Sequence, residues 1–252
     1  RLAGGKLRWF DWPDGASLHY LDVGEGAPVL LIHGIGANHD DWVSAGIVDD
    51  LAGRHRVISV DRPGFGLSPR GADEPLPPEQ QAAQLAALLI HLGIRSAVVA
   101  GHSFGVLPAL SLAITAPELV AGLVLVGGVF RRGAPVLALS RQFTGALAPN
   151  RPVGGFLYRN VGPAVTRATL GVVIKRMFAP QSVPPRYMER FSSRLAARTS
   201  QLTASQDDAL AIEPALDRIL PRAPSITCPV SLIAGRGDAL FDPRLHTLAF
   251  RR

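Results

Sequence analysis

The chain has little cysteine and no long apolar run. Cys228 is its only cysteine, so no disulfide can form within the chain, and we expect a reducing compartment, the cytoplasm. No run of 18 uninterrupted apolar residues occurs, which predicts no transmembrane segment. No paired cysteines and no His-x-x-x-His spacing occur. The sequence therefore predicts no metal site and no cofactor.

Apolar content is sufficient for one large core. Hydrophobic residues make up 47% of the 252 positions, enough for a single domain with an insertion. Short apolar runs alternate with helix-like stretches. This rhythm predicts an α/β fold with a mostly parallel central sheet and helices on both faces. We expect strands at 29–32, 57–61, 97–100, 120–126 and 229–234, and helices at 42–52, 77–91 and 104–116.

The most informative motif follows the strand predicted at 97–100. Residues 101–105 read Gly101-His102-Ser103-Phe104-Gly105, and a helix-like stretch comes next. A strand, a sharp turn with serine at its apex, and a helix make the pattern of a nucleophile elbow. The two glycines permit a strained turn in which strand and helix approach closely. Ser103 is thus the predicted nucleophile.

A second motif, His33-Gly34-Ile35-Gly36, follows the buried strand at 29–32. Such a turn can present a backbone N–H to the nucleophile, and with the N–H of the residue after Ser103 it would form an oxyanion hole. The predicted donors are the backbone amides of Ile35 and Phe104. The His33 side chain is interpreted as a structural histidine that holds the loop.

Two further motifs stand at the ends of predicted strands. Residues 61–68 read DRPGFGLS, in which Asp61 is interpreted as structural because its carboxylate can accept backbone hydrogen bonds. Residues 235–238 read GRGD. An acid after a late strand, downstream of the serine, has the chain order of a hydrolase triad. Asp238 is therefore the candidate acid.

With these four motifs in this order, the chain resembles the α/β-hydrolase superfamily, as a serine hydrolase with a lid domain. The resemblance covers about residues 7–128 and resumes near 205. It implies a core at 1–130 and 206–252, with a helical lid at 131–205. It also implies Ser103 as nucleophile, Asp238 as the acid that orients the base, and a histidine as that base.

The histidine is where the sequence departs from the family pattern. The family's base lies beyond one more strand after the acid, whereas His246 is the only histidine after Asp238 and no apolar strand intervenes. His102 neighbours Ser103, but adjacent side chains on a sharp turn are expected to point apart. We expect a C-terminally incomplete chain that lacks the last strand and the base, with His246 as the less favoured alternative.

The lid carries an unusual charge. Glu189 is the only acid at 131–205, although the whole chain is only +6. Three interpretations remain open: a solvated arginine-rich surface, a weak contact with an anionic surface, and nucleic-acid binding, which no recognisable module supports. We expect no nucleic-acid partner.

The lid also supplies candidate pocket residues. The basic residues are Arg131, Arg132, Arg141, Arg151, Arg159, Arg167, Lys175, Arg176, Arg186, Arg190, Arg194 and Arg198, and the pocket candidates are Phe143, Phe156, Leu157, Tyr158, Met177, Phe178 and Tyr187.

Two functions are consistent with these motifs. The first is a serine hydrolase of small or medium carboxylic esters, with C–C, amide and perhydrolase chemistry as variants on the same scaffold. Epoxide and halide opening normally need an aspartate nucleophile, so a serine at 103 argues against them. The second is a non-catalytic, hydrolase-like protein that binds a ligand, or one inactivated by truncation. The oligomeric state is left open.

Overall fold

The computed structural model describes residues 5–12, 17–70, 75–133, 160–238 and 241–250. The helices are α1 (Asp40–Ser44), α2 (Ile47–Ala52), α3 (Pro78–His91), α4 (Val106–Thr115), α5 (Gly162–Phe178), α6 (Pro185–Arg190), α7 (Ser193–Ala196), α8 (Thr199–Ile219) and α9 (Thr247–Phe250). The strands are β1 (Lys6–Asp11), β2 (Ser17–Val23), β3 (Ala27–Ile32), β4 (His55–Val60), β5 (Ala97–His102), β6 (Val120–Val126) and β7 (Val230–Ile233).

The strands form one sheet in the order β1-β2-β4-β3-β5-β6-β7. The first two strands pair antiparallel to each other, and β2 pairs antiparallel to β4. All later pairs are parallel. The predicted α/β class with a mostly parallel sheet is therefore confirmed.

Alternating side chains of the strands build two apolar layers. In β3, Leu30 and Ile32 pack into the larger cluster, and Val29 and Leu31 pack into the smaller cluster on the opposite face. Helices α3, α4 and α8 contribute to the larger layer, whereas Trp42 and the α2 residue Val48 contribute to the smaller one. Burial on both faces explains why these strands are apolar runs rather than alternating patterns.

The parallel register brings the carboxyl ends of the central strands to one edge. Ile32 pairs with Gly101, Gly101 with Leu125, and Leu125 with Leu232. The loops that follow β3, β4, β5, β6 and β7 therefore open at the same edge of the sheet. This is the edge at which open α/β sheets bind ligands.

One predicted helix differs in the structure. The helix expected at 42–52 is two short helices, because Gly46 between them adopts a left-handed φ of 85°. The lid boundary expected at 205/206 falls inside the 21-residue helix α8, which is continuous across it. Much of the predicted lid, 134–159, lies outside the described residues. Helices α5, α6 and α7 lie in the remainder and, with the start of α8, are called the cap here.

Candidate active site

The elbow begins where β5 ends. Ser103 has a φ of 53°, and among the described residues no other non-glycine has a positive φ. A short 3₁₀ turn, Ser103–Gly105, then leads directly into α4. Holding a residue with a side chain in the left-handed region costs about 1–3 kcal/mol and is typical of functional sites. The surrounding packing must therefore impose this conformation.

The elbow glycines lie where backbone segments meet. A Cβ on Gly101 would stand 2.4 Å from the carbonyl oxygen of Gly105. A Cβ on Gly105 would stand 2.4 Å from the carbonyl oxygen of Ile32 and 2.7 Å from that of His33. No L side chain fits at these separations, so both positions require glycine.

The 33–36 loop packs directly against the nucleophile. A Cβ on Gly34 would lie 2.9 Å from Ser103 Cβ and 3.5 Å from His102 Nδ1. The structure thus brings Gly34, His102 and Ser103 together, as the sequence motifs require. The two predicted backbone donors flank this contact, because Ile35 follows Gly34 and Phe104 follows Ser103.

The His33 side chain is fully engaged by backbone. Its Nδ1 bonds the carbonyl oxygen of Gly34 at 2.7 Å, and its Nε2 accepts the Arg62 N–H at 3.0 Å. These partners require a neutral ring protonated on Nδ1. Burial, reinforced by the Arg62 charge, holds the pKa of His33 well below its usual value. The geometry fits a side chain that shapes the loop.

Arg62 is a residue of this site that the sequence reasoning passed over. Its guanidinium is fully buried and donates from Nε to the His33 carbonyl at 2.9 Å and from Nη2 to the Gly34 carbonyl at 3.0 Å. Its Nη1 donates to Gln81 at 2.9 Å and to Asp208 at 2.6 Å. An arginine directly after a strand-end aspartate was the available signal. Asp208 lies 146 positions away, so no local pattern could pair the two.

Asp61, next to Arg62, is the centre of a buried polar cluster. Its carboxylate bonds His19 Nδ1 at 2.7 Å, His39 Nδ1 at 2.9 Å and two backbone N–H groups, those of His39 and Leu67. Burial alone would raise the pKa of Asp61, but the hydrogen bonds from the two histidines bring it far below its usual range. Burial likewise opposes protonation of His39, yet the Asp61 carboxylate raises the pKa of His39.

This cluster was not anticipated as a group. The ligand atoms of His19, His39 and Asp61 lie within 4.8 Å of one another, near enough to be considered for a metal ion. In the structure, however, each histidine bonds Asp61 directly, and the carboxylate is also held by backbone. The arrangement fits an anchor for the 61–68 turn. There a Cβ on Gly66 would stand 2.2 Å from the carboxylate.

Asp238 reaches the same sheet edge from β7. Its Oδ1 accepts the Phe241 N–H at 2.9 Å, which fixes the carboxylate at the turn. A Cβ on Gly127, after β6, would lie 3.9 Å from Asp238 Oδ2 and 3.9 Å from His102 Nε2. Asp238 and His102 therefore flank the same glycine. This places the predicted acid beside the elbow.

Two histidines lie on the Asp238 side. His246 is buried, and its Nδ1 accepts the Phe130 N–H at 3.3 Å. Burial lowers the pKa of His246, and Asp238 acts in the opposite direction. His102 directs Nδ1 towards Asp41, 3.9 Å from Oδ2. Among the residues that the structure describes, no hydrogen bond joins the Ser103 hydroxyl to a histidine.

The cap is fastened to the core at α6 and α8. Tyr187 donates to Asp41 Oδ1 at 2.7 Å, and Arg186 and Arg190 pair with Asp49. Burial and the neighbouring Asp41 carboxylate raise the pKa of Tyr187.

From α8, the buried Gln201 side chain joins two core loops. It donates to the Gly36 carbonyl and accepts the Gly66 N–H, both at 3.0 Å. Cap residues thus contact the loops around Ser103.

The predicted pocket residues have different environments. Tyr187 is buried and meets Phe178 edge-on, whereas Met177 is 49% exposed. Phe143, Phe156, Leu157 and Tyr158 lie outside the described residues. No helix within the described ranges has the length and hydropathy needed to cross a bilayer.

Comparison with known proteins agrees with this architecture. A 2-hydroxymuconate semialdehyde hydrolase from Pseudomonas putida is 32% identical over 219 residues, 82% of this chain and 76% of that protein. An (E)-2-((N-methylformamido)methylene)succinate hydrolase from Acinetobacter baylyi is 35% identical over 116 residues, 45% of this chain; the matched part spans only 42% of that relative's length. Among solved structures, a hydrolase from Pseudomonas aeruginosa PA01 matches with a TM-score of 0.70 at 23% identity, over 96% of this chain and 85% of the other.

The family model of the alpha/beta hydrolase fold matches residues 27–251, most of the chain. The match includes the 33–36 loop, the elbow and Asp238. Together with the sheet order and the elbow geometry, it shows that the chain belongs to the α/β-hydrolase family.

Proposed function

We propose that this chain is a serine hydrolase of carboxylic esters that acts through an acyl-enzyme on Ser103. The observation that carries the proposal is the backbone of Ser103, held at a φ of 53° between β5 and α4 and packed against Gly34. A serine in that position presents its hydroxyl at the open sheet edge. A purely structural serine has no need of this strain.

The proposed reaction has two halves. Ser103 Oγ attacks the ester carbonyl, its proton passes to a histidine base, and the carbonyl oxygen becomes an oxyanion bound by the Ile35 and Phe104 N–H groups. The tetrahedral intermediate collapses, and the alcohol leaves with the proton from the base. Water then attacks the acyl-serine by the same route and releases the acid. Asp238 orients the imidazole and stabilises its charged form.

Two histidines of this chain, His246 and His102, are candidates for the base, and substitution of each one distinguishes them. His246 is the one whose titration Asp238 influences, but its Nδ1 is occupied by the Phe130 N–H. His102 shares Gly127 with Asp238 but turns Nδ1 towards Asp41. A base elsewhere would leave activity intact when either one is replaced.

The names of the relatives suggest a class of substrate rather than one compound. The two relatives described above are named as hydrolases of small carboxylate-bearing molecules. We therefore propose short acyl chains or small polar esters rather than long lipids. C–C hydrolysis of 2-hydroxymuconate semialdehyde itself is a second substrate to assay.

A non-catalytic, ligand-binding role is the second candidate function. It is favoured by one observation: among the described residues, the Ser103 hydroxyl has no histidine partner. Such a protein would bind small acids or esters at the same edge without turning them over. Ligand binding without product release distinguishes this candidate from the first.

The test is a panel of p-nitrophenyl esters of increasing acyl length, with Ser103→Ala, Asp238→Asn, His246→Ala and His102→Ala. We expect hydrolysis by the wild type, a loss of at least about 1,000-fold in Ser103→Ala, and a large loss in Asp238→Asn. Asp50→Asn, which changes an exposed carboxylate on α2, is the control and should retain activity. Ester hydrolysis that survives in Ser103→Ala would overturn the proposal.

A further inference from the structure

Arg62 is buried at the junction of the two loops that would supply the oxyanion donors. Its Nε and Nη2 hold two successive carbonyls of the 33–36 loop, those of His33 and Gly34. The flat guanidinium also packs against two aromatic rings, with Cζ 4.4 Å from the Phe65 centroid and 4.6 Å from the Phe104 centroid. The Arg62 side chain thus contacts Gly34, which precedes the donor residue Ile35, and Phe104, which carries the other donor.

Peptide geometry turns the carbonyl contact into a constraint on the donor. The 34–35 peptide bond is not among the cis bonds of the described chain, and in a trans peptide the C=O and N–H point in opposite directions. Holding the Gly34 carbonyl on Arg62 therefore directs the Ile35 N–H away from Arg62. The Gly34 carbonyl is held twice, since His33 Nδ1 also bonds it at 2.7 Å.

The second donor is constrained through its side chain. Phe104 is fully buried, and its ring lies against the guanidinium. A cation over an aromatic face is attracted to the ring, and the attraction is greater in a desolvated site. The position of the Phe104 backbone, which carries the other N–H, is thereby tied to the same group.

Residues of α3 and α8 hold the Arg62 guanidinium through its Nη1 atom. Asp208 of α8 is fully buried and bonds Nη1 at 2.6 Å, and Gln81 of α3 bonds the same nitrogen. A rigid fork with several donors can satisfy two carbonyls and a carboxylate at once, which a lysine ammonium cannot do with the same geometry. Leaving any of these partners unpaired inside the core would be costly.

We infer that Arg62 is the positioning residue of the oxyanion hole, setting the Ile35 and Phe104 amides together from behind the 33–36 loop. The inference rests on the proposed function for its catalytic consequence, but the loop geometry it describes does not. Arg62 touches no reacting atom. Its contribution is to keep both donors in place before the oxyanion forms, so that little reorganisation is needed during the reaction.

The experiment compares Arg62→Lys with Leu88→Ala, a substitution at a fully buried α3 position that removes core packing. Two readouts are taken at matched folded fraction: kcat and KM for a p-nitrophenyl ester, and hydrogen exchange of the backbone amides at 33–36. We expect Arg62→Lys to lower kcat about 10- to 100-fold with KM within about threefold of the wild type. Exchange at 33–36 should accelerate at least about tenfold because the loop loses its carbonyl anchors. Leu88→Ala should change neither beyond its effect on stability.

Asp208→Asn is the second variant, for the case in which Arg62→Lys does not fold. It weakens the hold on Nη1 but leaves both loop carbonyls in reach, so its effects should have the same sign and be smaller. Exchange at 33–36 that stays within about twofold of wild type in the folded variant overturns the inference, as does a kcat loss that Leu88→Ala reproduces. If the wild type hydrolyses no ester while exchange at 33–36 still rises in Arg62→Lys, the proposed function fails and the anchoring of the loop stands.

Discussion

Two helices of this molecule, α4 and α5, have opposite environments. In α4, which follows the nucleophile, every residue from Val106 to Ala113 is buried. In α5 of the cap, only Ile174 is buried, although valines occur along the helix. A helix that is apolar on most sides is normally enclosed. The helix behind the elbow is therefore densely packed, whereas α5 of the cap buries little of its own surface.

This difference has a functional logic under the proposed reaction. A strained serine and two backbone donors must be held closely in place, and dense packing can supply that. A cap over a reaction site has to admit substrate, and a few hydrogen bonds and ion pairs suffice to seat it.

The sharpest contrast comes from shortening one apolar side chain in each helix. Leu110→Ala in α4 removes a fully buried side chain and should lower the free energy of unfolding by about 4 kcal/mol. Val172→Ala in α5 truncates a side chain that is 70% exposed and should change it by less than about 0.5 kcal/mol. Urea unfolding of both variants measures the difference. Comparable losses would mean that α5 is packed as tightly as α4.

Glycines allow the opposite perturbation, added volume. Gly105→Ala sets a Cβ against the Ile32 and His33 carbonyls and should cost about 3 kcal/mol and most of the Ser103 reactivity. Gly171→Ala lies inside α5 with nothing within 4 Å of the new atom, so the better helix propensity of alanine should stabilise the chain by about 0.5–1 kcal/mol. Thermal melts of the two variants should shift in opposite directions. Equal shifts in melting temperature would mean that the elbow and α5 tolerate added volume equally well.

The cap contact at Tyr187 should have a smaller effect. Tyr187→Phe deletes the bond to Asp41, and we expect a loss of about 1 kcal/mol. A double-mutant cycle with Asp41→Asn isolates the pair from other effects of each substitution. A coupling energy near zero would mean that the hydrogen bond does not fasten α6 to the core.

The buried His39–Asp61 pair should make the free energy of unfolding depend on pH. Because Asp61 raises the pKa of His39, this pair stabilises the fold fully below about pH 6.5, the ordinary histidine value, and the contribution is lost as pH rises through the raised pKa. His39→Gln should therefore be more destabilising at pH 6 than at pH 9. Chemical unfolding at the two pH values measures it. A penalty that grows with pH would contradict the assignment of charge to the pair.

The sequence predicted the regions that local patterns determine. The β5 strand, the serine turn and α4 follow from apolar runs broken by glycines whose neighbours leave no room for a Cβ. The mostly parallel sheet follows from strand–helix alternation. Even so, the predicted 42–52 helix is divided at Gly46, because a single glycine in the left-handed region can end a helix that composition favours.

The parts that sequence could not give depend on distant partners. Arg62 bonds Asp208, and Gln201 bonds Gly36 and Gly66, across more than a hundred positions. No spacing rule predicts any of these three contacts. The histidines of the Asp61 cluster looked unrelated along the chain, yet β2 and the 33–39 segment bring them together. The roles of Ser103 and Asp238 remain predictions that rest on motif and geometry.

Labelling with a fluorophosphonate probe, mapped by peptide mass spectrometry, tests most directly whether Ser103 is an activated nucleophile. We expect one phosphonylated residue, Ser103, with labelling abolished in Ser103→Ala and strongly slowed in Gly105→Ala, while Gly171→Ala labels at the wild-type rate. No label on a folded wild-type chain, or label on a serine away from the elbow, would contradict it.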